Sequence, residues 1–166
     1  KKEESHLTLT ELIDMVLDKS GMKKSLEDEK SIEADIRLEN LEEFKSIAKA
    51  MEINEIRKKL KKELDKSRYE HTIGVMFTAG SLAMAHGYDY EKAMLAGLLH
   101  DCAKCRSTSD KIDLCQRHDI LITPVERENP GLLHAKAGMV LAQECYEVTD
   151  PLILHAIKVH TTGEPN

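Results

Sequence analysis

A chain of 166 residues with 41% apolar and 33% charged side chains has material for one core of ordinary size and a well-solvated surface. Its net charge of −6 argues against nonspecific nucleic-acid binding, which needs basic charge set against phosphates. No run approaches the ~18 apolar residues of a membrane span, and the opening KKEESHLT has no apolar signal region, so the expected compartment is the cytoplasm.

Helix punctuation begins at once. Thr8 and Glu11 have the spacing of a capping box, Leu9, Leu12, Ile13, Val16 and Leu17 follow at helical spacing, and Gly21 is a natural stop. A second helix is expected over about 27–48, with Leu38, Leu41, Phe44 and Ile47 along one drifting stripe. A third starts from Met51 with Ile53, Ile56, Leu60 and Leu64. A fourth covers about 67–86 and closes at Gly87. Asp89 caps a fifth over about 90–102, and a sixth covers about 108–118. Thr123-Pro124 opens a short turn, Asn129-Pro130 a helix to about 146, and Asp150-Pro151 a last helix reaching His160. Nothing alternates with period two for long enough to make a strand, so the fold class is all-α. The scarcity of aromatic residues and the absence of Trp fit a core of packed aliphatic helices.

The two parts of the chain differ in chemistry. Residues 1–50 form a charged helical hairpin, net −4, whereas 51–166, net −2, hold seven of the eight histidines. His71 lies in RYEHT, His100 and Asp101 in LAGLLHDCAK, His134 in PGLLHA and His160 in IKVHTTG. Each of these histidines adjoins an apolar segment and is expected to point inward. One buried histidine is usually a hydrogen-bonded core residue. Four on separate helices, one beside an aspartate, suit a metal site built between facing helices. Imidazole and carboxylate together accept Fe, Mn, Zn or Ni and leave positions for water and phosphate oxygens. Lys104, one turn beyond His100, is placed to meet phosphate charge, and Thr161, Thr162 and Gly163 form a turn able to approach a phosphate or sugar. His118-Asp119 repeats the dipeptide in a polar helix end and is assigned no role, nor are His6, His86 and His155. Cys102 and Cys105 make a C-x-x-C without a second pair or a βαβ setting, so the four cysteines are expected to be free thiols.

The ordered set RYEHT, LAGLLHDCAK, NPGLLHA and IKVHTTG resembles the HD-superfamily symmetrical bis(5'-nucleosyl)-tetraphosphatases of the YqeK type, over essentially all of Met51–Asn166. The resemblance implies an α-helical HD domain that splits diadenosine tetraphosphate symmetrically into two ADP. It implies iron, or else Mn2+ or another divalent metal, as one ion or two. By it His71, His100 and Asp101 are metal ligands, Asp101 and Lys104 are the candidate catalytic residues, and His134, His160 and Thr161 face substrate or a second metal. That family continues after HTTG into a helix bearing a further metal-binding Asp and then an Arg near the nucleotide. The sequence here ends at Asn166, so the expectation is a domain lacking its C-terminal helices, reduced activity, and oligomers formed through the uncovered surface.

Residues 7–47, with RLENLEEF as their most specific stretch, resemble an internal piece of the UvrD/PcrA-type superfamily 1 DNA helicases. No glycine-rich ATP loop accompanies them, so no helicase activity is implied, and the acidic charge weighs against DNA as a partner. The expected organisation is a helicase-like segment, 1–50, joined to an HD phosphohydrolase domain, 51–166. The competing readings are an HD hydrolase of another nucleotide, and a noncatalytic chimeric or fragment helical protein.

Overall fold

A computed structural model describes residues 7–163, so His6 lies outside the described residues. Among the described residues there are nine α-helices, one 3₁₀ turn and no strand. No helix among them is long and apolar enough to cross a membrane. The chain divides into two compact units, Lys1–Ile56 and Arg57–Asn166.

The first unit opens with α1 (Leu9–Ser20), started by the Thr8–Glu11 capping box and ended by Gly21 at φ +67°. α2 (Met22–Glu29) follows, then α3 (Ile32–Glu63). Two expectations are corrected here. The helix expected over about 27–48 is broken at Lys30, which takes a left-handed φ of +51°. Ser31 Oγ then accepts from the Ala34 amide and restarts the helix. The restart expected at Met51 does not occur, because Ala48-Lys49-Ala50-Met51-Glu52 are all good helix formers with no breaker among them. Within this unit Lys45 pairs with Asp14 at 2.7 Å and the Thr10 amide donates to Glu52 at 2.8 Å.

In the second unit α4 (Lys66–His86) is capped by the Asp65 carboxylate and stopped by Gly87 at φ +72°. α5 (Tyr90–Leu99) is capped by Asp89, as expected. The two pack closely because Gly97 has no side chain. A Cβ there would lie 3.1 Å from Met76 Cα and 3.1 Å from the Val75 carbonyl oxygen. α5 ends at Leu99 rather than near 102. The His100 ring donates to the Gly97 carbonyl that the next helical turn would use, and the chain continues in tight turns. The amides of Cys102, Lys104 and Arg106 donate to the carbonyls of Leu99, Asp101 and Ala103.

α6 (Thr108–Arg117) is capped by Ser107, and α7 (Pro124–Glu128) by a Thr123–Glu126 capping box. The 3₁₀ turn Pro130–Leu133 leads directly into α8 (His134–Tyr146). α9 (Pro151–Val159) is capped by Asp150 and packs on α8 and α5. Leu98, Leu99, Leu133, Val140 and Ile157 are buried in this unit. Burying such side chains is worth ~1.5–3 kcal/mol each and fixes the elements that carry the histidines.

Candidate metal centre

Three of the histidines are placed by one device. His100 ends α5, His134 ends the 3₁₀ turn and His160 ends α9. The last carbonyls of a helix have no amide partner within it. In each case the ring Nδ1 donates to the carbonyl three residues earlier: Gly97, Gly131 and Ile157. A carbonyl can only accept, so Nδ1 carries the proton and the lone pair of the neutral ring sits on Nε2. This bond fixes both the tautomer and the ring plane.

The three rings turn towards Asp101. Asp101 Oδ1 lies 3.0 Å from His134 Nε2 and 3.7 Å from His160 Nε2, and Oδ2 lies 3.6 Å from His100 Nε2. His134 Nε2 and His160 Nε2 are 3.0 Å apart. The His71 ring packs edge-on to His100, with centroids 5.4 Å apart. Two groups with metal-ligand spacing result: His71, His100 and Asp101, and Asp101, His134 and His160. Asp101 belongs to both.

Asp101 is buried, and burial opposes its charge. Where the rings are protonated, hydrogen bonds from His134 and His160 and then the charge on His100 and His134 outweigh burial and hold the carboxyl well below the usual carboxylate range. Burial lowers the pKa of His100, which keeps its ring neutral and its Nε2 free to coordinate. With Nε2 unprotonated, the set turns a carboxylate and imidazole lone pairs towards one another, with Lys104 Nζ 3.2 Å from His134 Nε2. Such a set suits a cation. Metal–ligand bonds of ~2.0–2.2 Å put neighbouring ligands about 3 Å apart, which the closest separations here match. The residues present therefore fit a small divalent cation.

The sequence-selected residues are not all alike. His134 is buried, His100 is nearly so, and Lys104 is half-buried with Nζ 3.2 Å from His134 Nε2 and 4.0 Å from Asp101 Oδ1. His71 is exposed, against the expectation that all four histidines point inward, whereas the His160 side chain is 22% exposed and turns inward to Asp101 and His134. The chain around His71 (KSRYEH) is polar, which suits its exposure, and a site that meets a substrate needs an open side. Thr161 is half-buried on the turn that follows, where the Thr162 and Gly163 amides both donate to the Val159 carbonyl. Sequence adjacency alone puts it beside the cluster.

Arg68 has no role in the sequence reading, yet its Nη1 donates to Asp101 Oδ2 at 2.9 Å. Its only sequence signal is the i,i+3 spacing that puts it on the same face of α4 as His71. The second dipeptide lies elsewhere: His118 pairs with Glu144 at 2.8 Å, and Asp119 takes a left-handed turn at φ +53°. All four cysteines are free, with Cys102 buried and Cys105 exposed.

Residues 68–166 match the family model of the HD domain. The chain is 41% identical over 111 residues to a symmetrical bis(5'-nucleosyl)-tetraphosphatase of Halalkalibacterium halodurans, covering 64% of this chain and 57% of that protein. It therefore spans little more than half of that relative's length. A solved structure from Clostridium acetobutylicum, described as a predicted HD superfamily hydrolase involved in NAD metabolism, superposes with a TM-score of 0.66 at 39% identity, covering 69% of this chain and 60% of that one. A separate stretch of 53 residues is 49% identical to the ATP-dependent DNA helicase PcrA of Staphylococcus epidermidis, covering 32% of this chain and 7% of the helicase.

Proposed function

The chain belongs to the HD domain family, and from that membership and its histidine cluster we propose that it is a metal-dependent phosphohydrolase acting on dinucleoside polyphosphates. The single observation that carries the reading is the convergence of His134 Nε2, His160 Nε2 and Asp101 Oδ1 within 3.0–3.7 Å, beside His71 and His100. The relative from Halalkalibacterium halodurans bears the name of a symmetrical tetraphosphatase, which supports diadenosine tetraphosphate as the substrate and ADP as the product. Other nucleotides that present a phosphate chain remain the alternative substrates.

His71, His100 and Asp101 would hold one divalent cation, and Asp101, His134 and His160 would hold a second or would face the phosphates. Iron is the first candidate, with Mn2+ or another divalent ion next, since imidazole and carboxylate ligands suit each of them. Held there, such a cation would supply a water of lowered pKa and polarisation of a phosphoryl oxygen. The protein supplies the rest. The carbonyl bonds at Gly97, Gly131 and Ile157 keep each Nε2 aimed at one point before any ligand arrives. Lys104 supplies a flexible ammonium within reach of a phosphate oxygen, and Thr161 a hydroxyl beside it. Hydrolysis adds one water across the central P–O–P bridge, so diadenosine tetraphosphate yields two ADP.

The same reading divides the chain into a helicase-like helical segment, 1–50, and a phosphohydrolase domain, 51–166. The test is product analysis by chromatography after incubation with diadenosine tetraphosphate and Fe2+. ADP as the sole product, lost in His100→Ala, supports the reading. AMP with ATP, or no product, overturns it.

A further inference from the structure

Asp101 presents its two oxygens to different partners. Oδ2 accepts from Arg68 Nη1 at 2.9 Å, while Oδ1 is the oxygen nearer His134 and His160, at 3.0 and 3.7 Å. The Asp101 side chain is 6% exposed and that of Arg68 is 34% exposed, so the carboxylate is enclosed and its partner lies towards solvent. The terminal torsion of an aspartate is soft and broad. A guanidinium anchored to one oxygen therefore sets the direction of the other. Arg68 itself stands on α4, which Gly97 holds close to α5, so the anchor is tied to the scaffold.

We propose that Arg68 is a positioning residue: it orients Asp101 so that Oδ1 faces His134 and His160, and divalent-cation binding weakens without it. This rests on the metal-centre reading above. Charge and orientation predict opposite signs, which makes the role testable. A guanidinium is a fixed positive charge, and two like charges near one another repel. On charge alone, removing Arg68 tightens the binding of a cation. Loss of a bond that orients a ligand instead weakens metal binding by ~10–100-fold. Weakening on removal of a positive charge is therefore the mark of positioning.

The experiment is calorimetric titration of the whole chain with Mn2+, together with the visible spectrum of bound Co2+, for the wild type, Arg68→Met and Arg68→Lys. Arg68→Met is expected to bind Mn2+ at least ~10-fold more weakly and to alter the Co2+ bands. Arg68→Lys, which retains a donor and a positive charge, is expected to recover most of the affinity and the spectrum. Should Arg68→Met fail to fold, Arg68→Gln removes the charge and the reach and carries the same expectation. Binding by the neutral variant as tight as that of the wild type, or tighter, overturns the positioning role and leaves the metal centre standing. A wild type that binds neither ion overturns the metal centre, and the positioning role with it.

Discussion

His134 and His160 meet Nε2 to Nε2 at 3.0 Å, although each ring has already committed its Nδ1 proton to a backbone carbonyl. Two lone pairs so placed, with a carboxylate oxygen beside them, suit a cation, and a proton between the rings or the Lys104 ammonium 3.2 Å from His134 Nε2 offsets them when none is bound. A divalent cation that binds the folded chain stabilises it by mass action, by ~2.7 kcal/mol at a hundredfold excess over Kd. Thermal unfolding should therefore shift upwards with Mn2+ and return with chelator. His160→Ala should lose most of the shift. An unchanged melting curve for the wild type would count against a cation at this position.

At Gly97 the backbones of α4 and α5 come too close for a side chain. Gly97→Ala places a methyl 3.1 Å from Met76 Cα and from the Val75 carbonyl, both backbone atoms that cannot swing away. The helices must part by a few tenths of an ångström, at a cost of ~1–3 kcal/mol. Denaturant unfolding should show that loss, and metal affinity should fall with it because His71 and His100 sit on the two separated helices. Gly74→Ala, on the open side of α4 with nothing within 4 Å of the added methyl, is the control and should be neutral or slightly stabilising.

Glu126 is buried, which opposes its charge, but Lys136 at 2.8 Å and the Thr123 amide and hydroxyl outweigh burial and depress its pKa. A depressed carboxyl pKa contributes stability that is fully present above the ordinary glutamate value of 4.5 and is lost as pH falls through the lower folded value. Acid unfolding should therefore steepen below that value, and Glu126→Gln should flatten this part of the curve. A wild type and variant with parallel acid limbs would contradict the assignment.

The thiols differ in burial, and so in reactivity. Burial pushes the Cys102 thiol up to about 12, so it is protonated and enclosed at neutral pH. Cys115 is likewise buried, and burial raises its pKa, whereas Cys105 and Cys145 are exposed. Iodoacetamide should label Cys105 and Cys145 in the native protein, and all four residues only after unfolding, as read by peptide mass.

Much of the fold was legible because helix caps are local. The Thr8–Glu11 box and the Asp89 carboxylate form the expected caps, and the expected starts at Thr123-Pro124 and Asp150-Pro151 are capped by Thr123 and Asp150. The break at Lys30 was not legible, since a left-handed lysine leaves no compositional mark as glycine does. The continuity of α3 through Met51 is not marked by the drifting stripe of Leu38, Leu41, Phe44 and Ile47, although no breaker stands there. In the site, the residues of the His-Asp cluster could be named from their apolar settings, but the exposure of His71 could not. The Gly97, Gly131 and Ile157 carbonyls, each three residues before its histidine, are a local signal that periodicity alone does not weigh. Arg68 escaped because its partner Asp101 lies 33 positions away, across a helix pair whose packing only the fold supplies.

The most direct test of the central claim is the rate of ADP release from diadenosine tetraphosphate by chelator-stripped protein as Fe2+ is added back. A metal-dependent phosphohydrolase built on Asp101 should release no ADP when stripped and should saturate with added metal, while Asp101→Asn stays flat. ADP release that is indifferent to metal, or equal in Asp101→Asn, would contradict it.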